Sequence, residues 1–170
     1  VKKTIGKLQV DPGLAQFHFH IRNEWLQSGP GHSRNTIESF YGTREEVPHE
    51  QTMHVEADEP TMLLSKDEAP NPVELLLSAL ASCLTGSMVY HAAARGIEIE
   101  ELRSEVEGDI DLRGFLGVSD KVRKGYQNIR VTFHVKSDAT PEQLKECASF
   151  SPVYDVTCNG TDVELNVQKM

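Results

Sequence analysis

A chain of 170 residues and 19.0 kDa, 38% of it apolar or aromatic, has enough to close one core and reads as a single domain over 1–170. Seventeen basic against 26 acidic residues give a net charge of −9, with no basic stripe, which argues against a nucleic-acid partner. The longest uncharged run, Leu75 to Tyr90, is 16 residues and carries three serines and a threonine, so the sequence predicts no bilayer-spanning segment and no membrane partner.

Lys2 and Lys3 run into Thr4-Ile5-Gly6-Lys7 rather than an apolar stretch, so no secretory leader is expected. The cysteines, Cys83, Cys147 and Cys158, are odd in number and form no CxxC pair. That excludes a disulfide framework and a zinc ribbon and predicts a reducing, cytoplasmic setting. No repeat or low-complexity stretch is present, and no phosphate-loop or GxGxxG pattern calls for a nucleotide or other cofactor.

Gln16 to Ile21 alternates with a period of two and predicts a strand, as Gln51 to Val55 does more weakly. Between them Gln27 to Asn35, with Gly29-Pro30-Gly31, reads as a polar turn region, and Asp58 to Pro72, with three prolines, as a second loop. Val73 to Arg95 then predicts a long helix. Asn71 is its N-cap, Pro72 suits the first helical position, Glu74 the third, and Gly96 supplies the stop. No residue from Leu75 to Tyr90 is charged on any face, so the helix needs cover from the domain core or from a dimer interface. Ile97–Leu112 and Tyr126–Val135 alternate as an antiparallel pair with one wet face, joined by a loop from Arg113 to Gly125. Thr140-Pro141-Glu142-Gln143 opens a shorter helix over about 141–150, and Val163–Val167 closes the chain as a strand. The order predicts an α+β fold with helices on a mainly antiparallel sheet.

Cys83, near the middle of the long helix, is either a small core hydrophobe or a nucleophile activated by a nearby base or cation. His18 and His20 share one strand face and, with His54 or His91, suggest a metal set. No carboxylate or cysteine accompanies them at ligand spacing, so no metal is expected there. His91 is too far from Cys83 along the helix for a direct proton relay.

The stretch Asn71-Pro72-Val73-Glu74-Leu75-Leu76-Leu77-Ser78-Ala79-Leu80-Ala81-Ser82-Cys83-Leu84 resembles the central helix of the osmotically inducible protein C and organic hydroperoxide resistance (OsmC/Ohr) superfamily. Asp109 to Gly117 looks like the glycine-containing loop of an OsmC-like subgroup. The resemblance implies an intertwined homodimer with sites at the subunit interface. It also implies that Cys83 is a peroxidatic thiolate, which a second cysteine then resolves as a disulfide reopened by dithiol reductants. The family's second cysteine opens a Cys-Pro-x-Ser pattern, and here that stretch is Ser151-Pro152-Val153-Tyr154. Ser151 cannot form a disulfide, which leaves Cys147, Cys158 or an external thiol to resolve. Val73 stands where peroxidase members carry the carboxylate that orients a catalytic arginine, and Glu74 is one residue, about 100° of rotation, away. Arg22 and Arg34 are the candidates for that arginine, and Glu74 and Tyr154 for further binding contacts. Two functions follow: thiol-dependent reduction of an organic hydroperoxide, or a non-catalytic OsmC-like dimer that binds a small apolar or thiol-bearing ligand, with Cys83 in its core.

Overall fold

The computed structural model describes residues 1–169, which group into two compact units, one ending at Leu76 and one beginning at Leu77. The first unit opens with α1 (Lys2–Val10), which buries none of its residues, and a 3-10 turn at Pro12–Ala15. Strands β1 (His18–Phe19) and β2 (Arg22–Trp25) pair in succession with one edge of β3 (Ser33–Gly42), and β4 (Glu45–Ala57) pairs with the other, all antiparallel. Of the predicted Gln16–Ile21 strand only His18–Phe19 forms, β2 lies beyond it, and β3 begins at Ser33, inside the stretch read as turn. The hairpin joining β3 to β4 has no glycine in its two-residue loop. Thr43 and Arg44 both take left-handed backbone angles, φ 51° and 70°, matching the twist that such tight hairpins require. Arg44 also pairs with Asp11 at 2.7 Å. Phe17, Phe19 and Phe40 stack with ring centroids 5.7–6.1 Å apart, and Gly42 lets the Phe17 ring lie against its backbone, since a Cβ there would come within 2.4 Å of it.

Helix α2 (Pro72–Arg95) matches the predicted span and both of its start signals: the Val73 amide donates to Asn71 Oδ1, and the Asn71 amide to Glu74 Oε2, each at 2.9 Å. At 24 residues, with a window of mean hydropathy 1.5, α2 is long and apolar enough to cross a membrane, so the uncharged run does not by itself exclude a span. One face of α2 packs into the core, while Leu76, Val89 and Tyr90 stay exposed on the rest. Leu80, Leu84, Met88 and Ala92, spaced by four, form one buried face.

In the second unit that face meets β5 (Glu101–Asp109) and β6 (Asn128–Lys136), which pair antiparallel without a bulge from Glu101↔Lys136 to Asp109↔Asn128. Leu102, Val106, Val131 and Phe133 pack inward, and the other face is wet, with Arg130 bridging Glu107 and Asp109. The intervening loop holds a single helical turn, α3 (Leu112–Phe115), capped by Asp111, whose carboxyl the Arg113 guanidinium holds down at about 2. Helix α4 (Pro141–Ala148) has the predicted start in full, a reciprocal Thr140–Gln143 capping box, and adds Leu144, Cys147 and Ala148 to the core. It stops two residues short of the predicted end, and a further helix, α5 (Pro152–Asn159), follows.

The expected closing strand is absent from the structure. Residues 160–169 join no ladder, and Val163, Leu165 and Val167 are 82–86% exposed. Alternation supplies the two faces of a strand, but a ladder needs a neighbouring edge, and residues 160–169 pair with none among the described residues.

Candidate functional site

Cys83 sits one residue before the Leu84 position of the buried face, half-buried, with a free thiol, and is not part of the core cluster. Cys147 takes the core role instead. It is fully buried, and the Arg95 Nη1 lies 3.7 Å from its Sγ. Arg95 reaches back to the His91 carbonyl, pairs with Glu146 at 3.0 Å and covers the Phe150 ring, which itself stacks on His91 at 4.0 Å. This cluster fixes Cys147 near the last two turns of α2, about 12 Å along the axis beyond Cys83. A disulfide requires Cα atoms within about 7 Å, so Cys147 does not resolve Cys83 within this conformation of one chain.

Ser151, at the family's second-cysteine position, is buried and caps α5, its Oγ accepting from the Tyr154 amide at 3.1 Å. Tyr154 lies one turn before the exposed Cys158, and their side-chain hydrogen bond raises the phenol above its ordinary pKa. Tyr154 also lines a cavity of about 810 Å³ together with Leu84, Met88, Val131, Phe133 and Leu144. Glu74 is engaged in capping α2.

In the first unit the antiparallel register places the candidate arginines. Arg34 on β3 stands directly opposite Glu56 on β4 and donates to its Oε1 from Nε at 2.9 Å and Nη2 at 2.7 Å. No hydrogen bond or ion pair engages Nη1 among the described residues. Arg22 pairs with Glu38 at 2.8 Å, and both side chains are exposed. The carboxylate that orients Arg34 is therefore Glu56, which the sequence reading did not single out, and not a residue at the start of α2. Its signal was available only in the ladder register. Glu56 also receives the His32 Nε2 at 3.1 Å, and the Arg34 and then the His32 hydrogen bonds hold its carboxyl below the usual range.

His18, His20, His54 and His91 do not assemble into a ligand set among the described residues, where only His32, Asp58 and Glu68 bring donor atoms together.

An α+β chain with a long capped helix carrying a half-buried thiol, beside an antiparallel pair and two short helices, defines the fold class. The family model for OsmC-like protein matches residues 65–166, and the chain belongs to that family. An OsmC-like protein from Mycoplasma pneumoniae is similar in structure, with TM-score 0.57 and 19% identity over 83% of this chain and 87% of that one. A protein from Psychrobacter arcticus 273-4, described as an osmotic stress induced and detoxification response protein, gives 0.54 and 17% over 78% and 83%. An OsmC-like protein of unknown function from Vibrio cholerae gives 0.52 and 14% over 86% and 95%. No curated protein matches the chain.

Proposed function

We propose that the protein reduces organic hydroperoxides through Cys83. The observation that carries this reading is that Cys83 stays free and half-buried outside the packed face, while Cys147 fills the core place of a small hydrophobe. The Cys83 thiolate attacks the nearer peroxide oxygen, the O–O bond breaks, and the departing alkoxide takes a proton to leave as alcohol, with the sulfur oxidised by two electrons to sulfenic acid. One external thiol condenses with the sulfenic acid, releasing water. A second thiol frees Cys83 as the external pair becomes a disulfide. Ser151 gives no resolving thiol, and in this reading the reductant acts directly on Cys83, with neither Cys147 nor Cys158 needed as resolver. Three free thiols fit a reducing compartment, the cytoplasm.

Intact-mass analysis after stoichiometric cumene hydroperoxide with a sulfenate trap tests this, with Cys83→Ser beside it. One trapped adduct per chain, absent in the variant, is expected. A thiol left unmodified at several equivalents, yet reactive once the chain is unfolded, rejects the peroxidase reading in favour of apolar-ligand binding, for which the 810 Å³ cavity is the structural support.

The working unit we propose is a homodimer. A globular chain of this mass exposes about 8,400 Å², and two separate bodies of half the mass about 10,100 Å² together. This chain exposes 12807 Å². The surplus over even the divided case is about 2,700 Å², comparable with an obligate interface. The apolar side chains of residues 163–167 and the outward Tyr90 and Val89 of α2 are part of it. Sedimentation is expected to give about twice the chain mass at micromolar concentration. A clean monomer rejects the dimer.

A further inference from the structure

We infer that His32, Asp58 and Glu68 form a binding site for a first-row divalent cation of the Mn²⁺–Zn²⁺ series. The ladder positions two of the three. Ser33 pairs with Ala57, so one residue further out His32 lies across from Asp58, on the same face as Arg34 and Glu56 by the two-residue alternation. Asp58 then gathers the following loop, accepting from the Ser65 hydroxyl, the Glu68 amide at 3.0 Å, the Glu59 amide at 2.9 Å and the Lys66 amide at 3.3 Å. Those hydrogen bonds, the Ser65 one foremost, keep its carboxyl well below the ordinary range. They also bring Glu68 Oε2 to 3.9 Å from His32 Nδ1. Gly31 packs against Glu59 so closely that a Cβ would fall 2.2 Å from its Cγ, which holds the two loops together.

Proximity and two further features point to a cation. One donor atom from each of the three residues lies within 4.8 Å of the others, the spread of ligands that share an ion at about 2.1–2.4 Å. Asp58, 1% exposed, has no lysine or arginine partner among the described residues, and neither has Glu68, so two carboxylates converge on His32 without a fixed positive side chain. The imidazole, 6% exposed, is already oriented as metal-bound histidines are. Its Nε2 faces the Glu56 carboxylate, itself held by Arg34, which leaves Nδ1 as the acceptor nitrogen on the side of Asp58 and Glu68, where it takes the Ser28 hydroxyl at 2.6 Å, the one hydrogen bond that a cation on Nδ1 would displace. One imidazole and two carboxylates suit a borderline cation. Bound there, it fixes neutral His32 as a donor to Glu56 and so stiffens the carboxylate that holds Arg34. Cation binding at these three residues does not rest on the peroxidase reading.

Calorimetric titration of the EDTA-stripped full-length protein with Zn²⁺ and with Mn²⁺ tests the site. One equivalent per chain is expected, with affinity lowered at least tenfold in Glu68→Gln, an exposed change that leaves the fold intact by circular dichroism. His32 ring resonances are expected to shift on Zn²⁺ addition in the parent protein. Absence of binding overturns the proposal and leaves an ion-paired imidazole. Binding of undiminished affinity in Glu68→Gln, or without a shift at His32, places the metal elsewhere and overturns it equally.

Discussion

Replacing Leu80 by alanine is expected to destabilise the protein by about 3 kcal/mol, a large share of the roughly 5–15 kcal/mol that holds a domain folded. Leu80 is among the largest fully buried side chains and stands at the head of the α2 stripe that continues through Leu84, Met88 and Ala92. Its removal takes apolar surface out of a packed contact and leaves a void that β5, β6 and α4 cannot collapse into without breaking their own register. Urea unfolding at one fixed protein concentration reads this as a lowered midpoint at unchanged slope. Leu80→Met, which conserves volume, is expected to cost less than about 1.5 kcal/mol. Equal losses for the two variants, or a loss below about 1 kcal/mol for alanine, would mean that this stripe is not the core.

On the proposed peroxidase reading, with Arg34 as the cationic partner of the thiolate, Arg34→Gln is expected to slow sulfenate formation at Cys83 about 100-fold, the usual size of losing one charged donor that serves developing negative charge. Within the first unit Arg34 is held more firmly than Arg22. Two of its nitrogens are anchored on Glu56, which fixes the plane of the guanidinium and leaves Nη1 unengaged among the described residues. Arg22 makes one exposed pairing with Glu38, where screening and side-chain freedom leave little to exploit. Arg22→Gln is accordingly expected to change the trapping rate less than threefold. Stopped-flow trapping at pH 7 compares the two, and a greater loss in the Arg22 variant would transfer the role to that residue.

The elements legible in the sequence were those whose ends are marked by local chemistry. Asn71-Pro72 with Glu74, and Thr140-Pro141 with Gln143, state a helix start within four residues, and both starts formed as read. The β5–β6 pair was legible because burial alternates along its whole length. The β3–β4 hairpin was missed because Thr43 and Arg44 take positive φ without the Asn-Gly or Asp-Gly that announces such a turn. Its polar residues also disguise a strand as loop. Helix α5 carried a readable signal, Ser151 before Pro152 with Asp155 in the first turn, but the stretch was read only for its missing cysteine. Neither Glu56 opposite Arg34 nor His32 across from Asp58 has a sequence spacing to detect. Both pairs exist only through the register of an antiparallel ladder.

In the proposed homodimer the unpaired stretch from Val163 to Val167 has a kinetic consequence. Collapse within one chain is first-order, but a strand whose edge partner lies on a second copy is completed only by encounter, at a rate that rises with protein concentration. Refolding would then show a fast phase indifferent to dilution and a late one that slows with it. Until that late phase ends, a segment of alternating apolar residues would stay open to pairing with the wrong neighbour.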